Sequence, residues 1–367
     1  MKIIISGDLC PTEQVMPFFI NGNVDALFGD VPEVFSTADR VIVNLECALT
    51  TADTPIKKFG PNLKAVPECA KVLRNIGVTD CSLSNNHIFD FGIKGLQDTI
   101  KHLNDNGLLW TGVGENDTDS RRPHVMKVGS KTITVIAVCE HEYTYALPDR
   151  MGANPYDPYY TMEDIRAAKA VSDYVIVLYH GGKEHCRYPS PRLHKLCRAM
   201  VRNGADVVLC QHSHCIGCYE NYQNGHILYG QGNFHFVKYI NDECWQNGLI
   251  VELNIDEDNN TPLKITFIPV VTTETGITLA KGNEKDAILQ AFEQRNEELK
   301  NGHWIKGWEQ FCDSVKQTYL SVIANAYTEN STERQNHHFA HYLDCEAHTD
   351  VWRELNKTWN HTNEKNL

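Results

Sequence analysis

From Ser82 to Gly92 the chain reads SLSNNHIFDFG, which gathers Asn85, Asn86, His87 and Asp90 into one short polar stretch. Asn, Asp and Gly are favoured in turns for local hydrogen bonding and positive φ, so the stretch read alone has an ordinary explanation. The same chemistry recurs along the chain at Asp8, Glu46, His180, His212 and His214. Carboxylates, imidazoles and an amide oxygen are the mixture that holds two divalent transition-metal ions, and a shared carboxylate can bridge ions about 3.5–4 Å apart. Such a pair makes hydroxide available near neutral pH and clamps the oxygens of a phosphoryl or acyl group. An imidazole beside the pair that binds neither ion can give a proton to the leaving group, and His87 is the candidate.

Each of these residues follows a run that reads as a β-strand. KIIIS precedes Gly7 and Asp8, RVIV precedes Asn44 to Glu46, TDCSLS precedes Asn85 to His87, YVIVLY precedes His180, and ADVVLCQ precedes His212 and His214. In open α/β sheets ligands bind at the carboxyl ends of strands, so groups far apart in sequence can converge there. With TITVIAVC, several of these runs are too continuously apolar for one-face burial, as in a sheet covered on both sides. Amphipathic helices fit between them at VPECAKVLRNIG, IKGLQDTIKHLNDNG, MEDIRAAKAVS and SPRLHKLCRAMVRNG, several closed by Gly at the C-cap. GLIVELNI and LKITFIPVV, joined by the polar DEDNNTP, read as a hairpin. The alternation predicts an α/β layer fold.

The chain has 367 residues, room for one large domain with additions or for two domains of roughly 100–200 residues each. After about Ala280 it turns Asn-, Glu- and Lys-rich, with helical stretches EKDAILQAFEQRNEELKNG and WEQFCDSVKQTYLSVIANAY. The expected division is a domain over 1–278 and a helical C-terminal extension over 279–367, packed on the sheet domain or on another subunit. Net charge is −13 without a Lys/Arg cluster, which argues against a nucleic-acid or anionic-membrane partner. The opening MKIIISGDLC falls short of the about 7–15 apolar residues of a signal-peptide core, and no run approaches the ~20 of a membrane span. The thirteen cysteines are scattered, several within apolar runs (Cys81, Cys139, Cys210), as expected of reduced buried thiols. These features predict a soluble cytoplasmic protein. CIGC, Cys215 to Cys218, is a lone CxxC with no second pair, so a zinc or redox role is disfavoured. NHHFAHYLDCEAH near the C-terminus reads as an exposed helix face outside the site.

The order Gly-Asp, acidic loop, Asn-His, single His and His-x-His resembles the calcineurin-like metallophosphoesterase superfamily. More closely, GD, VNLE, LKAVPE, SLSNNHIFDFGIKGLQDTI, GVGEN, HGGKEH, QHSH and GQGNF are similar to the blocks of the bacterial CapA family of capsule or poly-gamma-glutamate synthesis proteins, from Met1 to roughly residue 270. The resemblance implies a four-layer α/β/β/α metallophosphatase-like sandwich. It implies that Asp8, Glu46 and His214 bind one ion, Glu46 bridging, and that Asn86, His180 and His212 complete a second, the ions being manganese, iron or zinc. His87 would be the proton donor, with Asp90 orienting it or closing the loop. Glu184 and Asn233 would lie beside the ligands or the substrate, and Lys64, where the family commonly has Arg, would contact an anion. The implied function is a dinuclear-metal hydrolase of a phosphoester or a gamma-glutamyl-type amide in envelope polymer metabolism. Its partners would be an anionic small-molecule or polymer substrate, with polymer-synthesis proteins or a second copy of the chain. A catalytically silent, metal-stabilised binding component of a polymer-synthesising assembly fits the same residues.

The chain departs from the family pattern at three places. Cys10 stands where the superfamily usually has a His; a neutral thiol is a poor ligand and a thiolate a soft one, so Cys10 is a bystander or alters metal preference. His-Gly-Gly at 180–182 replaces His-Trp-Gly and removes an aromatic wall. CQHSH replaces GHHPH and puts Cys210 in place of Gly.

Overall fold

Ile3 and Ile5 face one apolar cluster while Ile4, between them, faces another, because successive side chains leave a strand on opposite sides. A strand of this kind needs cover on both faces. The computed structural model, which describes residues 1–239, 242–258 and 261–364, supplies it in layers. One sheet runs in the order Ile277–Leu279, Lys264–Thr272, Asn247–Asn254, Lys2–Leu9, Arg40–Leu45, Asp80–Ser82, Leu109–Thr111, with Asn233–His235 also paired to Lys2–Leu9. From Lys2–Leu9 to Leu109–Thr111 the strands are parallel. The second sheet runs Tyr219–Tyr222, Gly225–Leu228, Val207–Gln211, Tyr174–His180, Lys131–Cys139, His124–Val128, and is parallel through its centre.

Ile3, Ile5 and Ile42 of the first sheet meet Val135, Ile176, Leu178, Val207 and Leu209 of the second in one buried cluster. Phe19, Phe28, Phe35, Leu73 and Leu96, from helices, cover the first sheet's other face. Ile165, Leu193, Cys197 and Met200 cover that of the second. Helix, sheet, sheet, helix is the expected α/β/β/α sandwich, and each apolar side chain so buried contributes about 1.5–3 kcal/mol. The helix Pro191–Arg202 shows the local logic: the Ser190 hydroxyl accepts the Leu193 N–H, Pro191 opens the first turn, and Leu193, Leu196, Cys197, Met200 and Val201 form its buried stripe.

The predicted hairpin is present, Asn247–Asn254 pairing antiparallel with Lys264–Thr272; residues 259 and 260 of its DEDNNTP turn lie outside the described residues. Beyond residue 280 the described residues form four helices, Gly282–Lys300, Trp304–Asn325, Glu333–Asp344 and Glu346–Glu364. Ile288 and Phe292 of the first enter the core between the sheets. Trp308, Cys312, Tyr319, Val351 and Leu355 form a further cluster with Cys186. Among the described residues no helix is long and apolar enough to cross a membrane.

Candidate metal centre

Asp8 lies near the end of Lys2–Leu9, Glu46 directly follows Arg40–Leu45, and Asn86 sits in the turn after Asp80–Ser82. His180 ends its strand, and His212 and His214 follow Val207–Gln211. The two sheets therefore bring the carboxyl ends of parallel strands to one place. Asp8, Glu46 and His214 offer ligand atoms all within 4.8 Å of one another, and so do Glu46, His180 and His212, and Glu184, His212 and His214. Glu46 belongs to two of these sets. Asn86 joins them through its Oδ1, 2.8 Å from His180 Nε2.

Glu46 is fully buried, yet neither carboxylate oxygen has a hydrogen-bond partner among the described residues. Its Oε1 lies 3.5 Å from His180 Nε2 and 4.0 Å from His214 Nε2. His212 Nδ1 also lacks a hydrogen-bond partner among the described residues. Burial, then the Asp8 charge, push the Glu46 carboxyl well up. A buried carboxylate without a hydrogen bond is costly unless cations meet it, so the donor set fits a metal. Burial lowers His180 and His212 to about 4, which leaves both imidazoles neutral and able to ligate near pH 7. Burial works against charge on His214 as well, but Glu46 and Asp8 outweigh it and raise that imidazole to about 9. Asp8 is held at about 2 despite its burial, by the hydrogen bond to His214 and the charge of His180.

Several groups that hold this arrangement escaped the sequence reading as site residues. Asn44 donates through Nδ2 to Asp8 Oδ1 at 2.7 Å and lies 3.1 Å from His180 Nδ1; its place two residues before Glu46, on the same side of the chain, was the available signal. Glu142 accepts from Asn86 Nδ2 at 3.1 Å and lies 3.7 Å from His212 Nε2. The Trp245 ring is 4.2 Å from the His214 ring. Asn233, which was named from the sequence, has its Oδ1 2.9 Å from His214 Nδ1 and sits opposite Asp8 in the sheet. That pairing needs Gly7, because a Cβ there would stand 2.0 Å from the Gly232 carbonyl oxygen.

His87 Nδ1 is 2.6 Å from Asp90 Oδ2, and the same oxygen accepts the Leu63 N–H at 2.7 Å. Lys58, another residue without a sequence signal, pairs with Asp90 and places Nζ 3.2 Å from His87 Nδ1. Burial, then Lys58, lower His87 to about 4 against the pull of Asp90. Glu184 is held well below the usual carboxylate range, burial being outweighed by Lys183 and then His212. Lys64 donates to the Ala52 carbonyl at 2.6 Å and lies over the Phe91 ring; it is not on the wall of the cavity at the site, where Lys58 and Lys183 stand. Cys10 is buried among apolar side chains, with its thiol pushed well up by that burial and by Cys47. Gly181 packs against Glu140, where a Cβ would come within 2.5 Å of Cγ.

A cavity of about 180 Å³ opens onto these residues, lined by Lys58, His87, Glu142, Lys183, Glu184 and His212 and closed by His341, Cys345 and His348. This corrects the expectation for NHHFAHYLDCEAH. Rather than an exposed helix face, the segment stacks His338 on Phe59 at 3.8 Å and His341 on Tyr143 at 5.7 Å, while buried His348 bonds to the Tyr319 hydroxyl at 2.6 Å. Its polar composition resembled solvent-facing helix because its apolar partners, Phe59 and Tyr143, lie far away in sequence.

Fold and site together define an α/β/β/α protein with groups of Asp, Glu and His side chains at its strand ends that could hold metal ions. A family match described as Bacterial capsule synthesis protein PGA_cap spans residues 2–238, and the chain belongs to that family. It is 29% identical over 275 residues to the Capsule biosynthesis protein CapA of Bacillus anthracis, covering 72% of this chain and 66% of that one. It is 27% identical over 276 residues to the PGA biosynthesis protein CapA of Bacillus subtilis (strain 168), covering 72% and 70%. The chain thus spans about two thirds of the length of these relatives. Among solved structures, a putative 5′-nucleotidase from Staphylococcus aureus is 17% identical with a TM-score of 0.45, over 80% of this chain and 58% of that one. The layer order given above rests on this chain's own sheets and helices.

Proposed function

We propose that the chain is a dinuclear-metal hydrolase of capsule or poly-gamma-glutamate metabolism, cleaving a phosphoester or a gamma-glutamyl-type amide. One observation carries the reading: buried Glu46, shared by two candidate ligand sets, has no hydrogen-bond partner of its own among the described residues. Two divalent ions of the manganese, iron or zinc kind would supply hydroxide near neutral pH and a clamp for the substrate's oxygens. Asp8, Glu46 and His214 would hold one and Asn86, His180 and His212 the other, with Glu46 between them.

The remaining residues act on the substrate. Asp90 occupies His87 Nδ1, which leaves Nε2 as the atom that exchanges a proton. Burial, and then Lys58, keep the imidazole neutral in the free protein. An anionic substrate drawn toward Lys58 and Lys183 offsets that charge and raises the proton affinity of Nε2, so that His87 can serve the leaving group. At about 180 Å³ the cavity is smaller than the ~300–1,000 Å³ of common ligand sites, which suits one compact anionic group at a chain end better than the middle of a polymer. The thirteen free thiols suit a reducing compartment, in line with a cytoplasmic location.

A second reading, the catalytically silent binding component that docks on polymer-synthesis partners or on a second copy, is favoured by the neutral state of His87. Metal-dependent turnover of an aryl phosphate or of poly-gamma-glutamate supports hydrolysis. Metal bound with turnover of neither supports the silent component.

A further inference from the structure

The CIGC turn, Cys215 to Cys218, anchors two arginines that are far apart in sequence. Arg295 Nε donates to the Gly217 carbonyl at 3.1 Å, and the neighbouring Cys218 thiol donates to the Arg187 carbonyl at 3.4 Å. Arg187 and Arg295 line one cavity of about 230 Å³, together with Glu243 and one face of the helix Gly282–Lys300. None of its lining residues is among the candidate metal ligands. On the helix, Ala291 and Ala287 stand about one and two turns before Arg295, so small side chains leave space beside the guanidinium.

Arg295 is only 8% exposed. Of the five N–H donors of a guanidinium, its Nε–H alone has a partner among the described residues, and no carboxylate there pairs with it. A buried charge of this kind is costly without a counter-charge. Burial, then the charge of Arg187, work against the protonated form of Arg295. Arg187 donates through Nε to the Cys244 sulfur at 3.2 Å, and its pair with Glu243 at 3.5 Å involves a carboxylate that is 83% exposed. Such a pair is screened by solvent and contributes about 0–1 kcal/mol, so it yields readily to a ligand. Glu284, the other acid in the lining, is also exposed. The geometry points to a second anion site, separate from the metal centre, that takes a phosphate group between Arg187 and Arg295. The two charges of a phosphate match the two cations, and its oxygens accept from guanidinium forks in pairs. A single carboxylate matches only one of them.

The test is equilibrium dialysis of radiolabelled inorganic phosphate and, separately, of glycerol phosphate against the full chain at fixed ionic strength, with and without a chelator. Phosphate should stay bound after the chelator has stripped the metal centre, and the more tightly held probe names the source, free phosphate or a phosphate ester. Arg295→Gln should weaken this binding roughly 10–100-fold, as loss of a charge-assisted hydrogen bond does. Ala291→Glu, at an exposed position of the same helix face, places a carboxylate one turn from Arg295 and should weaken it comparably by taking the ligand's place. That variant leaves both arginines intact, so it decides even if Arg295→Gln fails to fold. Release of all phosphate by the chelator, unchanged binding in Ala291→Glu, or tighter retention of glutamate than of either phosphate overturns the assignment.

Discussion

The Asp8 carboxylate accepts the backbone N–H of His212 at 2.9 Å, which bonds the first strand of one sheet to the turn that ends a strand of the other. His212 holds φ at +85° there and His214 +55°, a left-handed backbone that costs non-glycine residues about 1–3 kcal/mol and persists only where surroundings impose it. Asp8 is thus both a candidate ligand and the clasp that holds two others in place.

Asp8→Ala should therefore destabilise even the metal-free protein. A buried N–H left without its acceptor costs about 1–3 kcal/mol. Asp8→Asn keeps an acceptor and should lose less than half of that in denaturant unfolding, while both variants lose metal. Equal stability of Asp8→Ala and the parent, both free of metal, would contradict the clasp.

His87→Ala should leave metal content near that of the parent and slow turnover by roughly 10²–10⁴-fold, the usual contribution of a positioned acid or base. The loss should shrink for activated aryl esters, whose leaving group needs no proton. Comparing two leaving groups in one steady-state assay reads this out; an equal loss for both contradicts the role.

Asp80 carries acid sensitivity away from the site. It accepts from Arg40 Nε at 2.9 Å and lies 2.7 Å from His124 Nε2. Burial would raise its carboxyl, but these hydrogen bonds prevail and hold it below the usual range. Because the folded value is the lower one, Asp80 stabilises fully above the unfolded value of about 3.9 and loses that contribution as pH falls through the folded value. Asp80→Asn should cost about 1.5–3 kcal/mol at pH 7 and flatten the acid limb of stability against pH. An unchanged acid limb would contradict it.

The C-terminal helices should matter to substrate rather than to metal. His341→Ala should raise KM about tenfold, as loss of about 1.4 kcal/mol of ground-state binding does, with kcat within a few-fold and metal content unchanged. Deleting residues 328–367 should act in the same direction. A cut at 280 should be far worse, because it removes Ile288 and Phe292 from between the sheets. Metal loss in His341→Ala from a folded protein would contradict this division.

The strands were legible because doubly covered strands are apolar on both faces, as in KIIIS and YVIVLYH. The ligand candidates were legible because each follows such a run. What sequence did not give was contact across long separations. Lys58 meets His87 through a loop with no regular structure, and Phe59 meets His338 across most of the chain. The short helices Met16–Ile20, Val24–Phe28 and Val31–Phe35 are of one turn or little more, too short for a 3.6-residue period to emerge.

The central claim is that Glu46 joins two bound ions. The most direct measurement is elemental analysis of the full chain and of Glu46→Ala, both loaded with manganese, iron or zinc and freed of unbound metal. The account predicts two ions per chain in the parent and loss of both in Glu46→Ala, since the two cations lose the anion between them. No metal in the folded parent, or retention of both ions by Glu46→Ala, would contradict it.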